Sequence, residues 1–79
     1  MQPEIKKSIL EFVLGKRKEL EIVGPPALVA TIHEAADSSA QLLRALREEL
    51  GSSTIRQLMD RRRIAAERFK RLTGEDWDI

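Results

Sequence analysis

The chain has 79 residues, with 14 Lys and Arg against 13 Asp and Glu, a single His, no Cys and three aromatic residues. At this length folding buries only about 60% of the surface the unfolded chain exposes, and one core rarely supplies more than roughly 3–5 kcal/mol, so help from a partner surface is expected. The absence of Cys excludes a disulfide framework, a thiolate zinc site and a thiol nucleophile, and one His excludes any site that needs two from one chain.

The opening Met1-Gln2-Pro3-Glu4 does not have the form of a secretory leader. The first apolar stretch, Ile9 to Leu14, is interrupted by Glu11 and followed by Lys16-Arg17-Lys18 rather than by a small-residue cleavage site. No run approaches the roughly 20 apolar residues of a membrane span. The expectation is a cytoplasmic protein of one helical domain over residues 1–79, without membrane contact.

Between the punctuation residues Pro3, Gly15, Gly24-Pro25-Pro26, Gly51-Ser52-Ser53 and Gly74, apolar residues recur at helical spacing and strand-like alternation is nearly absent. This pattern predicts an all-α fold: a small three-helix bundle, or a helical hairpin plus one helix.

The first helix is expected over about 3–22, starting at Pro3 as a first helical residue. Ile5, Ile9, Phe12, Val13 and Leu20 form its stripe, and Leu10 and Leu14 lie outside it. Gly15 weakens the reading, because an interior glycine costs about 1 kcal/mol relative to alanine and the helix could end there. Residues 20–23 would then be extended. Gly24-Pro25-Pro26 is a firm boundary, since each proline disfavours the α conformation in the residue before it.

The second helix is expected over 26–50, with Gly51 as a left-handed cap. Its stripe is Leu28, Ile32, Ala35, Ala36, Ser39, Leu43, Leu46 and Leu50, and the small residues in the middle allow a neighbouring helix to come close. A capping box, Ser38 with Gln41, raises the alternative of a break near Ser38 and a fourth helix. The stripe continues in phase across the serines, which favours one helix. His33 and Asp37 share its polar face, and a solvent-exposed pair explains them without a metal ion.

The third helix is expected over 54–73, with Thr54 and Gln57 as a capping box and Gly74 as its end. Its core stripe is Ile55, Leu58, Met59, Ala65, Ala66, Phe69 and Leu72. Arg62 falls within that stripe, so helical geometry points it at a core or an interface. A buried unpaired guanidinium is costly, and Arg62 is therefore expected to pair with a carboxylate across a helix interface, within the chain or between subunits.

Charge is segregated along the sequence. Residues 52–72 carry seven basic side chains (Arg56, Arg61, Arg62, Arg63, Arg68, Lys70, Arg71) against Asp60 and Glu67, and the tail 74–79 carries Glu75, Asp76 and Asp78 around the only Trp. Arg56, Arg63 and Lys70 recur every seven residues, a row that could track a phosphate backbone. The charges surround the helix, however, and Arg47 and Gln57 stand where a helix-turn-helix wants small and apolar residues. Pairing with acids of neighbouring helices is the favoured alternative.

Trp77 is expected to pack over the end of the bundle, with the tail carboxylates meeting the arginines of the third helix. Ile64, on the far face of that helix, together with Leu10 and Leu14, tilts the reading towards self-association. The inventory offers no catalytic constellation, cofactor motif or small-molecule site. The sequence thus reads as a non-enzymatic protein-interaction module (adaptor, assembly or regulatory factor) that binds itself or another protein, with nucleic-acid binding by the basic helix as the alternative.

Overall fold

The computed structural model describes all 79 residues. It contains three helices and no strand: α1 (Pro3–Val13), α2 (Pro26–Arg47) and α3 (Ser52–Thr73). α2 and α3 form an antiparallel hairpin, because the pairs they make run in opposite senses: Arg61 meets Asp37, and Phe69 shares a core with Ile32. α1 lies against α2.

Pro3 and Pro26 each open a helix, where the missing N–H has no intrahelical partner to lose. α1 ends at Val13 and does not continue to residue 22. Gly15 adopts φ 80°, its N–H donates to the Phe12 carbonyl at 3.1 Å, and the Lys16 N–H donates to the Glu11 carbonyl at 2.8 Å. These two bonds satisfy the last carbonyls of the helix in the left-handed arrangement that glycine adopts without steric cost. The following segment returns to the core through Leu20, which is buried, and Ile22, which is half-buried.

α2 is unbroken across the serines. Ser38 donates its hydroxyl to the Glu34 carbonyl at 2.7 Å, and Thr31 does the same to Ala27 at 2.8 Å, so both buried hydroxyls are satisfied by the preceding turn. The left-handed residue that ends α2 is Glu49 (φ 53°), not Gly51. The Leu50 N–H bonds to Ala45 and the Glu49 N–H to Leu46, which closes the helix two residues before the glycine.

That early closure moves the start of α3 forward. Gly51 takes the N-cap position with φ −58°, α3 begins at Ser52, and no side chain caps it. Thr54 therefore lies inside the first turn, and the Thr54–Gln57 capping box does not form. Gly74 (φ 76°) ends α3 as expected, its N–H donating to the Lys70 carbonyl at 2.7 Å.

The core is one cluster of Ile9, Leu20, Ile32, Ala35, Ala36, Ala65, Phe69 and Trp77. Each large member contributes about 1.5–3 kcal/mol by leaving water. All of them come from the open end of the hairpin, together with α1, the linker and the tail. Length explains this. With 11 residues α1 is about 16 Å long, whereas α2 and α3, with 22 residues each, are about 33 Å long. The closed end of the hairpin consequently has no third layer. Leu46, Leu50 and Met59, all in phase with the core stripes, are 41–55% exposed instead of buried, and Leu72, in the last turn of α3 at the open end, is exposed as well.

Candidate functional site

Arg62 apart, the six basic side chains of α3 divide into two groups. Arg61 crosses to α2, where its Nε donates to Glu34 at 2.5 Å and its Nη2 donates to Asp37 at 2.9 Å. The Arg61 guanidinium holds the Glu34 carboxyl below its ordinary range, and the two carboxylates in turn raise the Arg61 pKa. Arg63 stays on its own helix, bonded to Asp60 and Glu67 one turn away on either side, and Lys70 pairs with Asp76 at 3.0 Å. Arg56, Arg68 and Arg71 have no carboxylate within ion-pair distance. The heptad row Arg56, Arg63, Lys70 is thus neutralised at two of its three positions.

The tail folds back on the bundle. Trp77 is 6% exposed, packs edge-on against Phe69 with ring centroids 5.3 Å apart, and donates its indole N–H to Ser39. Its carboxylates do not reach the arginines of α3. Glu75 bonds the Met1 ammonium, Asp78 bonds Lys6 of α1 at 2.8 Å, and only Asp76 touches α3, through Lys70. The Lys6 ammonium holds the Asp78 carboxyl below its ordinary range. The acidic tail closes the core and neutralises only Lys70 of the basic helix.

Trp77 and the half-buried Ile79 and Ala66 fill one end of the groove that runs between α2 and α3. The same groove continues, by helical phase, towards the closed end of the hairpin. On α2, Leu42 and Leu46 follow Ala35 and Ser39 along one face, and on α3, Ile55, Met59 and Arg62 precede Ala66 and Phe69. Nothing covers this second half. It forms a surface hollow of about 570 Å³ lined by Leu42, Arg56, Met59, Asp60, Arg62 and Arg63.

Arg62 sits half-buried in this floor, and no carboxylate of the chain lies within 4.0 Å of it. The expected in-chain ion pair across a helix interface is therefore made by its neighbour Arg61, one residue and about 100° round the helix. Ile64, Leu10 and Leu14 are 39–47% exposed and lie apart from this hollow, so the structure does not join them into one patch with it.

A second hollow, of about 600 Å³, lies on the other side of the hairpin, where Arg17, Lys18 and Arg44 surround Phe12, Leu50 and Leu58. It exists because α1 stops at Val13. His33 is exposed, and Asp37 is held by Gln41 and Arg61. No group of three or more metal-ligating side chains occurs, and no helix is long and apolar enough to cross a membrane.

Sequence reasoning placed Leu46 and Met59 in the core and passed over Leu42. The position of Gly15 fixes how far α1 reaches and so leaves Leu50 and Leu58 at the edge of the second hollow. Compared with protein-family models, with curated proteins and with solved structures, the chain matches none of them.

Proposed function

We propose that the protein is a non-enzymatic helical interaction module, serving as an adaptor, assembly or regulatory factor, and that its contact surface is the uncovered half of the α2–α3 groove. The observation that carries this reading is the exposure of Leu46 and Met59, more than half exposed on stripes that are half-buried one turn further along, at Leu42 and Arg62, and buried beyond, at Ser39 and Phe69. Exposed large side chains in phase with a core are the signature of a surface that another molecule covers.

Nucleic-acid binding by α3 is the weaker reading, because Arg61, Arg63 and Lys70 already spend their charge on carboxylates. Arg56, Arg68 and Arg71 remain available for phosphate, but they do not form one face: Arg56 lines the hollow with Leu42 and Met59, and Arg68 lies on the opposite flank beside Glu34.

The test is retention of protein from a lysate of the source cells on the immobilised chain at physiological salt, a second copy included. Retention that Leu46→Glu with Met59→Glu abolishes supports the module. Retention of nucleic acid alone, steeply salt-dependent and indifferent to the two substitutions, would replace it with the alternative.

A further inference from the structure

We infer that the occupant of the open half-groove is an acidic segment of another protein, anchored by a large apolar side chain on Leu42, Leu46 and Met59, with its carboxylates on Arg56 and Arg62. The inference rests on the reading of that half-groove as a contact surface. It names the chemistry of what covers it.

Charge selects the sign of the occupant. Three of the six residues that line the hollow are arginines, and the one acid among them, Asp60, is already bound by Arg63. Arg63 is matched on its own helix by Asp60 and Glu67, whereas Arg56 and Arg62 have no carboxylate of the chain within 4.0 Å. Arg62 is half-buried, so its charge is screened less than that of a fully exposed arginine. A neutral or basic occupant would cover both guanidinium groups and leave them unpaired, which is costly. A second copy laid on the hollow would set arginines against arginines.

The filled half of the same groove shows the kind of segment that closes it. There the chain's own tail, Glu75-Asp76-Trp77-Asp78-Ile79, seats Trp77 against Phe69 and Ser39 and directs Asp76 to Lys70 of α3. An apolar anchor goes into the floor, and a carboxylate goes to a basic side chain of α3. The open half offers the same parts, an apolar floor from both helices and free guanidinium groups on α3. The tail is not available to fill it, because Trp77 is buried in the core and Glu75 and Asp78 are held by the Met1 ammonium and Lys6.

The apolar floor favours a protein segment over a nucleic acid. No aromatic side chain lines the hollow, so an unpaired base finds nothing to stack on, and a phosphate backbone would leave Leu46 and Met59 uncovered.

The test is selection of a random dodecapeptide library, displayed on phage, on the immobilised full chain in 0.15 M salt. The retained peptides are expected to be enriched in Asp and Glu around a Trp, Phe, Leu or Ile. A synthetic copy of the leading sequence should bind at least about tenfold more weakly to Arg56→Glu with Arg62→Glu, and also to Leu46→Ser with Met59→Ser, which leaves the charge alone. Selection on the arginine variant should turn the preference towards Lys and Arg. Arg56→Glu alone changes an exposed residue and should weaken the peptide about threefold, so the charge is tested even if Arg62→Glu perturbs folding, which circular dichroism would register.

Retained peptides without an excess of acids overturn the inference, and so do acidic ones indifferent to Arg56 and Arg62. If such peptides still require Leu46 and Met59, the contact surface stands and its acidic partner is refuted. Retention of a labelled single-stranded oligonucleotide that depends on Arg56 and Arg62, with no acidic peptide selected, overturns the inference in favour of nucleic acid. If no retained ligand depends on Leu46 and Met59, the surface itself is refuted.

Discussion

The indole Nε1 of Trp77 donates to the Ser39 hydroxyl at 3.2 Å, joining two residues 38 positions apart in a buried contact. The bond makes the tail part of the core, because the indole can leave water only where its N–H finds an acceptor. Trp77→Ala should lower stability by about 3 kcal/mol, read as a fall in the urea midpoint, with loss of the edge-on contact to Phe69 included in that figure. Ser39→Ala removes only the acceptor and should cost about 1 kcal/mol. Ser39→Ala should also shift the emission of the single tryptophan towards that of the free indole if the side chain is released. An unchanged midpoint for Trp77→Ala would show that the tail is not part of the folded unit.

Glu49 holds a left-handed conformation that a side chain with a Cβ adopts at a cost, whereas Gly15 and Gly74 hold the same region without one. Glu49→Gly should therefore stabilise the monomer by about 0.5–1 kcal/mol, measured by urea unfolding at low micromolar concentration. Gly15→Ala should destabilise by about 1 kcal/mol, even though no atom lies within 4 Å of the added carbon, because the strain is in the backbone. Equal effects of opposite expectation at the two sites would contradict this account of the helix ends.

Glu34 has its carboxyl pKa lowered below the ordinary 4.5, chiefly by the hydrogen bond from Arg61. A carboxylate with a folded value below its unfolded one stabilises the fold fully above the unfolded value, and that stabilisation is lost as the pH falls through the lower, folded one. Both partners are partly solvated, which holds the contribution below about 1 kcal/mol. The parent should lose stability on going from about pH 6 to about pH 3, and Glu34→Gln should lose less across the same interval. Equal losses in the two proteins would place the acid sensitivity elsewhere.

Ala65 is 4% exposed on the side of α3 that faces α2, where the small side chains let the two helices approach. Ala65→Leu should cost about 1–3 kcal/mol by overpacking, seen as a lower melting temperature with helicity retained. A neutral result would mean that the hairpin interface has room that the packing does not indicate.

The helical class, the break at Gly24-Pro25-Pro26, the unbroken α2 and the packed Trp77 are all legible in the sequence, because each rests on a local rule: proline geometry, stripe phase, or the size of an aromatic. The ends of α1 and α2 are not. Leu20 stays in helical phase with Ile9, so periodicity carries the pattern past Gly15, and only the backbone conformation of that glycine stops it. At α2 the nearby Gly51 draws the eye, yet a glutamate two residues earlier takes the left-handed position, which propensity argues against. The hollow around Phe12, Leu50 and Leu58 follows from the first of these: a longer α1 would cover it, and the short one leaves it open. Leu46 and Met59 lie on the other side of the hairpin, where the tail covers only the end near Trp77. Arg62 was legible as out of place among apolar neighbours, while which arginine crosses to Glu34 and Asp37 depends on a rotation of about 100° per residue between Arg61 and Arg62 that stripe reading does not resolve.

The most direct measurement of the claim that the uncovered half-groove is a contact surface is the change in backbone amide chemical shifts of the ¹⁵N-labelled chain on titration with the selected acidic peptide, up to about 1 mM. Shifts that move together at residues 42–50 and 55–62, while those of α1 and of residues 18–22 stay fixed, are the predicted result. Changes centred on Leu10, Leu14 and Ile64, with residues 42–50 and 55–62 fixed, would contradict it.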